Sequence, residues 1–266
     1  SENQLLAYQK AGVNRISIGL QVANDSILKL IGRIHTLNDF NEAYDLVRKV
    51  GFQNVNVDLM FGLPTQTLKS FKESVEYVIS IKPEHVSSYS LILHQDIFQH
   101  LPSEEEEREM YHYLVKRMKD AGYVHYEISN FALPGYESKH NLTYWKQNEY
   151  EGFGAGASSF LNNKRYTNVK SIKKYITLIH EKKEVKVLEE TLTKEDKINE
   201  YIMLGLRLIN GIDIQETNEK FQTDILKKYH HSFQKLKEYG LIKIDKKIAL
   251  TEKGLDLANI VWEEFV

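Results

Sequence analysis

The chain has 266 residues, 42% hydrophobic and 27% charged, enough to bury a core as one large domain or as a large and a small one. With 35 basic against 37 acidic residues the formal net charge is -2, which gives no general pull towards nucleic acid or an anionic membrane. Cysteine is absent, so disulfides, thiolate nucleophiles and Cys-ligated zinc or iron–sulfur sites are excluded within these residues, and any metal here takes nitrogen or oxygen ligands.

The opening SENQLLAYQKAG reads as the tail of a helix, with neither the apolar core of a signal peptide nor the arginines of a transit sequence. No apolar run approaches the ~18 residues of a membrane span, so a cytoplasmic protein without a stable span is expected. Residues 14–21 (NRISIGLQ) read as a strand and 36–51 as a helix, with Asn38 or Asp39 as cap and Gly51 as stop. A strand over 54–64, a helix over 67–83, a strand over 85–93 and a helix over 103–123 with an acidic first turn follow. These are three βα units, too few to close a barrel, so the first strand is expected either to form an open edge or to pair with something outside the sequence. The Gly-rich YEGFGAGASSF (150–160) lacks Gly-x-Gly-x-x-Gly order and reads as a tight turn between packed elements. Past residue 165 little β signal is expected until the end. Helices over 193–211, 213–222 and 224–240 precede a hairpin around Asp245 and Lys246 and a closing helix, a winged-helix-like order. Residues 191–266 carry twelve Lys or Arg against thirteen Asp or Glu, which argues against nucleic acid as a partner.

Alternation points to a site. In NVNVDLM, Val55, Val57 and Leu59 oppose Asn54, Asn56, Asp58 and Met60; in RISIGLQ, Ile16, Ile18 and Leu20 oppose Arg15, Ser17, Gly19 and Gln21. If the apolar faces pack under helices, the polar set lines an interior and Gln21 and Asp58 stand at C-terminal strand ends, where parallel α/β folds bind ligands; the alternative is a polar face open at a strand edge. Residues 140–145 (HNLTYW) raise a second question. Haem iron takes an axial imidazole and porphyrin faces take flat apolar partners, so the chemistry suffices for haem, as it does for a packed or surface histidine. The other histidines, His85, His94, His100, His112, His230 and His231 among them, show no metal-ligand spacing.

GVNRISIGLQ with IGRIH, then NVDLMFGLPTQT, HYEISNFALPGYESKHNLTYW and YEGFGAGASSF, together resemble the haem chaperone branch of the radical SAM superfamily, relatives of oxygen-independent coproporphyrinogen III oxidase. The resemblance runs from about residue 5 to the C-terminus. It implies an α/β fold: a partial (βα) TIM-like radical SAM barrel lacking its first strands (1–165, including the haem-motif segment) and a C-terminal winged-helix-like α+β domain (166–266). It implies that Gln21, Arg33 and Asp58 contact S-adenosylmethionine (SAM), and that His140, Asn141, Tyr144 and Trp145 contact haem, with His140 on the iron. Bare composition reads Arg33 as a solvated helix-end arginine.

The family opens on Cys-x3-Cys-x2-Cys, which ligates a [4Fe-4S] cluster; neither this loop nor the Gly-rich strand after it is present, so no catalytic residue is assigned and radical chemistry by this chain alone is not expected. His94 and Gln95 also stand where the family has an acidic residue and Gly-Thr. Two functions follow from the resemblance. One is a haem-binding chaperone that serves a haem-accepting protein and keeps a residual SAM pocket. The other is the C-terminal part of a coproporphyrinogen III oxidase-like enzyme of porphyrin biosynthesis, whose missing N-terminal segment or partner chain supplies the cluster.

Overall fold

Side-chain caps set the helix ends in the first half of the chain. The computed structural model describes residues 1–91 and 100–265, so His94 and Gln95 lie outside the described residues. Close contacts divide the protein into two units, Ser1–Glu137 and Ser138–Val266. The first unit runs α1 (Glu2–Lys10), β1 (Ile16–Gln21), α2 (Asp25–Leu30), α3 (Leu37–Val50), β2 (Val55–Phe61), α4 (Leu68–Ile81), β3 (His85–Ser90), α5 (Glu104–Asp120), β4 (Val124–Glu127) and β5 (Asn130–Ala132). Thr36, Thr67 and Ser103 start α3, α4 and α5, each with a reciprocal capping box. The cap of α3 is therefore Thr36 and not Asn38 or Asp39; Asp39 is the box's return partner, accepting from the Thr36 N–H at 2.8 Å. Gly51 ends α3 with φ of 102°, a left-handed conformation that glycine takes at little cost.

The five strands lie in the order β1-β2-β3-β5-β4. Pairing is parallel from β1 to β3 and antiparallel beyond, because residues 124–132 fold back as a hairpin that periodicity did not reveal. Leu20, Val55, Val57, Leu59 and Val86 form the buried face of the sheet, packed in one core with Phe40 and Val47 of α3, Phe71, Val75 and Val78 of α4, and Met110, Leu114 and Met118 of α5. This is the apolar side that alternation assigned. The other side carries the polar residues.

The second unit runs α6 (Lys139–Trp145), β6 (Ser158–Leu161), β7 (Lys164–Asn168), α7 (Ile172–His180), β8 (Lys186–Thr191), α8 (Lys194–Gly205), β9 (Ile212–Asp213), α9 (Ile214–Phe221), α10 (Ile225–Lys228), α11 (His230–Glu238), β10 (Ile242–Ile244), β11 (Lys247–Leu250), α12 (Glu252–Asp256) and α13 (Ala258–Glu263). Contrary to the expectation of little β structure past 165, most of β7 and all of β8 lie there, joined with β6 in an antiparallel sheet. Strands β7 and β8 carry charged residues and β8 is largely exposed, so no apolar alternation marks them; the cross-strand pair Arg165 and Glu190, 3.5 Å apart, occupies positions where buried sheets carry Val or Ile. The hairpin around Asp245 and Lys246 forms as expected, and β9 joins its edge as a third strand. The helix expected over 224–240 is interrupted at Tyr229, and the closing helix at Leu257. In the Gly-rich turn before β6, the buried Asn168 amide donates to the carbonyls of Gly152 and Gly154 at 3.1 and 2.9 Å, and the Gly154 N–H donates to the Tyr175 hydroxyl at 3.1 Å.

Candidate functional site

Parallel register in the first unit places polar side chains side by side. Ser17 pairs with Asn56 and Gly19 with Asp58, while Asn56 pairs with His85 and Asp58 with Ser87. Alternation then carries Arg15, Ser17, Asn56, Asp58, His85, Ser87 and Tyr89 to one face. The Asn56 amide donates to Ser17 Oγ at 2.8 Å and to Asp58 Oδ1 at 2.7 Å. Its oxygen accepts from Ser87 Oγ at 3.2 Å and lies 2.6 Å from His85 Nδ1, and His85 Nε2 lies 2.7 Å from the Tyr126 hydroxyl. Ser87 also donates to Asn130, whose amide donates to the buried Glu127 carboxylate.

Electrostatics on this face oppose charge. Burial pushes the Asp58 carboxyl above its ordinary range, against the pull of Asn56, Arg15, Ser17 and Arg33. Burial pushes the His85 imidazole down to about 3, so it is neutral at physiological pH. The Arg15 Nε is buried with no hydrogen-bond partner among the described residues, so this face keeps an unmatched donor.

Gln21 ends β1 at an irregularity in its register, with φ of 69°, a left-handed backbone that few non-glycine residues adopt. Its side chain folds over Gly19, where an added Cβ would lie 2.4 Å from Gln21 Nε2. The Tyr89 hydroxyl donates to Gln21 Oε1 at 3.3 Å. Arg33 is exposed just past α2, yet its charge acts on both Asp58 and Tyr89. Gln21, Arg33 and Asp58, assigned together by resemblance, thus all act around Tyr89, which the sequence reading missed. His85 and Tyr126 were missed as well. His85, Ser87 and Tyr89 alternate with Val86 and Ser88 in HVSSYS, and that period was the available signal for the first two strands' continuation.

The second unit holds the other candidate. Ser138 caps α6, its Oγ accepting from the Asn141 N–H at 3.3 Å. His140 and Tyr144, one turn apart, meet edge to face with centroids 4.8 Å apart, and the Tyr144 hydroxyl lies 3.0 Å from His140 Nε2. Tyr150 adds a third ring 4.7 Å from Tyr144. His140 is exposed while Tyr144 is half-buried. Trp145 is engaged elsewhere: the Arg207 guanidinium stacks 4.4 Å from its ring and 5.2 Å from that of Trp262, and both indole N–H groups are buried without a hydrogen-bond partner among the described residues. Among the described residues no three His, Asp or Glu side chains stand close enough together to hold a metal ion.

The sequence matches the radical SAM superfamily over residues 1–78 and the HemN C-terminal domain over residues 192–257. Two relatives, the haem chaperones HemW of Lactococcus lactis and Bacillus subtilis, are 38% and 40% identical, each aligned with 100% of this chain and over 72% and 73% of its own length. The chain belongs to the haem chaperone HemW family. Coproporphyrinogen III oxidase from Escherichia coli, a radical SAM enzyme, has the same α/β fold, with a TM-score of 0.83 over 100% of this chain and 67% of the enzyme at 22% identity. Among the described residues no helix is long and apolar enough to cross a membrane.

Proposed function

We propose that this family member binds haem as cargo and passes it to a haem-accepting protein in the cytoplasm, with the His140 imidazole on the iron and Asn141, Tyr144 and Trp145 forming the rest of the motif. The observation that carries the reading is the exposed His140 on α6, in a chain 38–40% identical along its whole length to haem chaperones. The residues fit the cargo chemically. An exposed imidazole flanked by the rings of Tyr144 and Tyr150 offers a nitrogen ligand and flat surface, and its contact with the Tyr144 hydroxyl is one that a metal can displace.

The polar face of the first unit is proposed as a SAM pocket formed by Gln21, Arg33 and Asp58. The raised Asp58 carboxyl and the unmatched Arg15 donor fit a ligand that brings its own ammonium, carboxylate and ribose hydroxyls. A carboxylate accepts from hydroxyls or an ammonium, and Arg33 can fork onto a carboxylate. These 266 residues contain no cysteine, so a [4Fe-4S] cluster of the family kind draws its thiolates from outside them, and no catalytic residue is assigned. In architectural terms the proposal is a partial TIM-like barrel with the haem motif over 1–165 and a winged-helix-like domain over 166–266.

Haemin titration followed at the Soret band tests the haem reading. The wild-type chain is expected to shift the band at micromolar haemin, and His140→Ala to weaken binding by about tenfold or more. Equal binding by wild type and His140→Ala overturns His140 as ligand, and no shift in the wild type overturns the cargo. The second reading, part of a coproporphyrinogen III oxidase-like enzyme, draws on the fold likeness to that enzyme. The higher identity to the chaperones favours the first.

A further inference from the structure

We infer that His85 is a positioning residue for the Asp58 carboxylate, acting through a one-way chain of hydrogen bonds that begins at the Tyr126 hydroxyl and passes through His85 and Asn56. The inference rests on the reading of Asp58 as a SAM ligand. Its direction follows from donor chemistry. An ionised carboxylate only accepts, so the Asn56 NH2 group faces Asp58 Oδ1, 2.7 Å away, and also reaches Ser17 Oγ at 2.8 Å. The Asn56 oxygen therefore faces β3, where it takes the Ser87 hydroxyl at 3.2 Å and meets His85 Nδ1 at 2.6 Å. An amide oxygen also only accepts, so the imidazole proton sits on Nδ1. His85 Nε2 is then the acceptor, and the Tyr126 hydroxyl 2.7 Å away donates to it.

Four strands' worth of placement supports this chain. Asn56 and Asp58 stand two apart on β2, Ser17 and His85 flank Asn56 in register on β1 and β3, and Tyr126 lies on β4. His85 is fully buried, and Asn56 and Tyr126 nearly so. Burial drives the imidazole down to about 3, which makes it a fixed neutral relay and not a charge switch. Polar groups so enclosed polarise one another along the chain, and the last donor falls on the one carboxylate proposed to meet the ligand. A second support for that carboxylate comes from Ser17, but Ser17 is exposed, and among the described residues Asn56 is held from behind through β3.

Two substitutions in the full chain test the inference by SAM titration calorimetry. The side-chain nitrogen of asparagine falls where an imidazole Nδ1 would, so His85→Asn keeps the donor to Asn56, whereas His85→Leu removes it. Both lose the Tyr126 contact and both are expected to melt at lower temperature. His85→Leu is expected to weaken SAM binding about tenfold and His85→Asn less than about threefold. Equal affinities for the two variants overturn the positioning role, whatever their melting temperatures. Nitrogen-15 NMR of the labelled wild-type chain gives an independent readout: a proton on Nδ1 is expected, and one on Nε2 overturns the chain's direction. A wild-type protein that takes up no SAM overturns the pocket reading of Asp58 instead, and the tautomer then decides the hydrogen-bond chain by itself.

Discussion

Asp58 carries a tension between stability and binding that a single substitution exposes. Its carboxyl is held above the usual range chiefly by burial, so the folded protein binds that proton more tightly than the unfolded chain does. Stability from this group is therefore present at low pH and lost as pH rises through its folded pKa, leaving at neutral pH a carboxylate that its neighbours only partly compensate for burial. Asp58→Asn keeps an oxygen for the Asn56 amide while removing the charge. It is expected to raise the melting temperature at pH 7 by a few degrees, on the order of 1 kcal/mol, while abolishing SAM heat in calorimetry. A variant that melts lower and binds SAM as well as wild type would refute both halves. At this scale the sequence disclosed Gln21 and Asp58 through strand alternation. Arg33 came only from resemblance, since an exposed arginine after a short helix has no local signature. His85 and Tyr126 stayed hidden because spacing rules look for metal ligands, and their work is in hydrogen bonds between strands far apart in the chain.

Elements were legible where their apolar face is buried and their ends are capped. The helices α3, α4 and α5 and the strands β1, β2 and β3 follow from period, with Gly51 as the stop of α3, whereas the cap at Thr36 lies two residues before the expected Asn38. Strands β7 and β8 were not legible, because charged residues on both, and the exposure of β8, leave no apolar alternation. Two glycines separate fold from function within elements. At Gly19 an added Cβ meets the flexible end of Gln21, 2.4 Å away, whereas at Gly211, with φ of 64°, it meets the Ile248 backbone oxygen at a far closer approach. Gly211→Ala is expected to cost ~2 kcal/mol or more and to lower the melting temperature visibly. Gly19→Ala is expected to leave melting nearly unchanged and to weaken SAM binding by displacing the Gln21 amide. Equal melting temperatures for the two variants would contradict this assignment.

For the molecule as a whole, the contacts divide between Glu137 and Ser138, while the proposed functional division falls at 165/166. The contacts group α6 with the second unit because Gln147, just past α6, donates to Lys197 O and Glu200 Oε2, both at 3.1 Å, within α8. The segment His140–Trp145 is thus built on elements of the second unit. Residues 138–266 expressed alone are expected to keep the tryptophan emission maximum of the full chain, because Trp145, Arg207 and Trp262 all lie inside that unit. A red-shifted maximum in the fragment would mean that the unit does not hold its own core.

The protein has two tryptophans, and both lie against the same guanidinium. Its tryptophan emission, excited selectively over the tyrosines, therefore arises from one location, and that location begins at the residue after Tyr144. Haem bound at the proposed His140 site would bring a strong absorber of that emission within energy-transfer range, which would give the unlabelled chain an intrinsic optical gauge of loading and release.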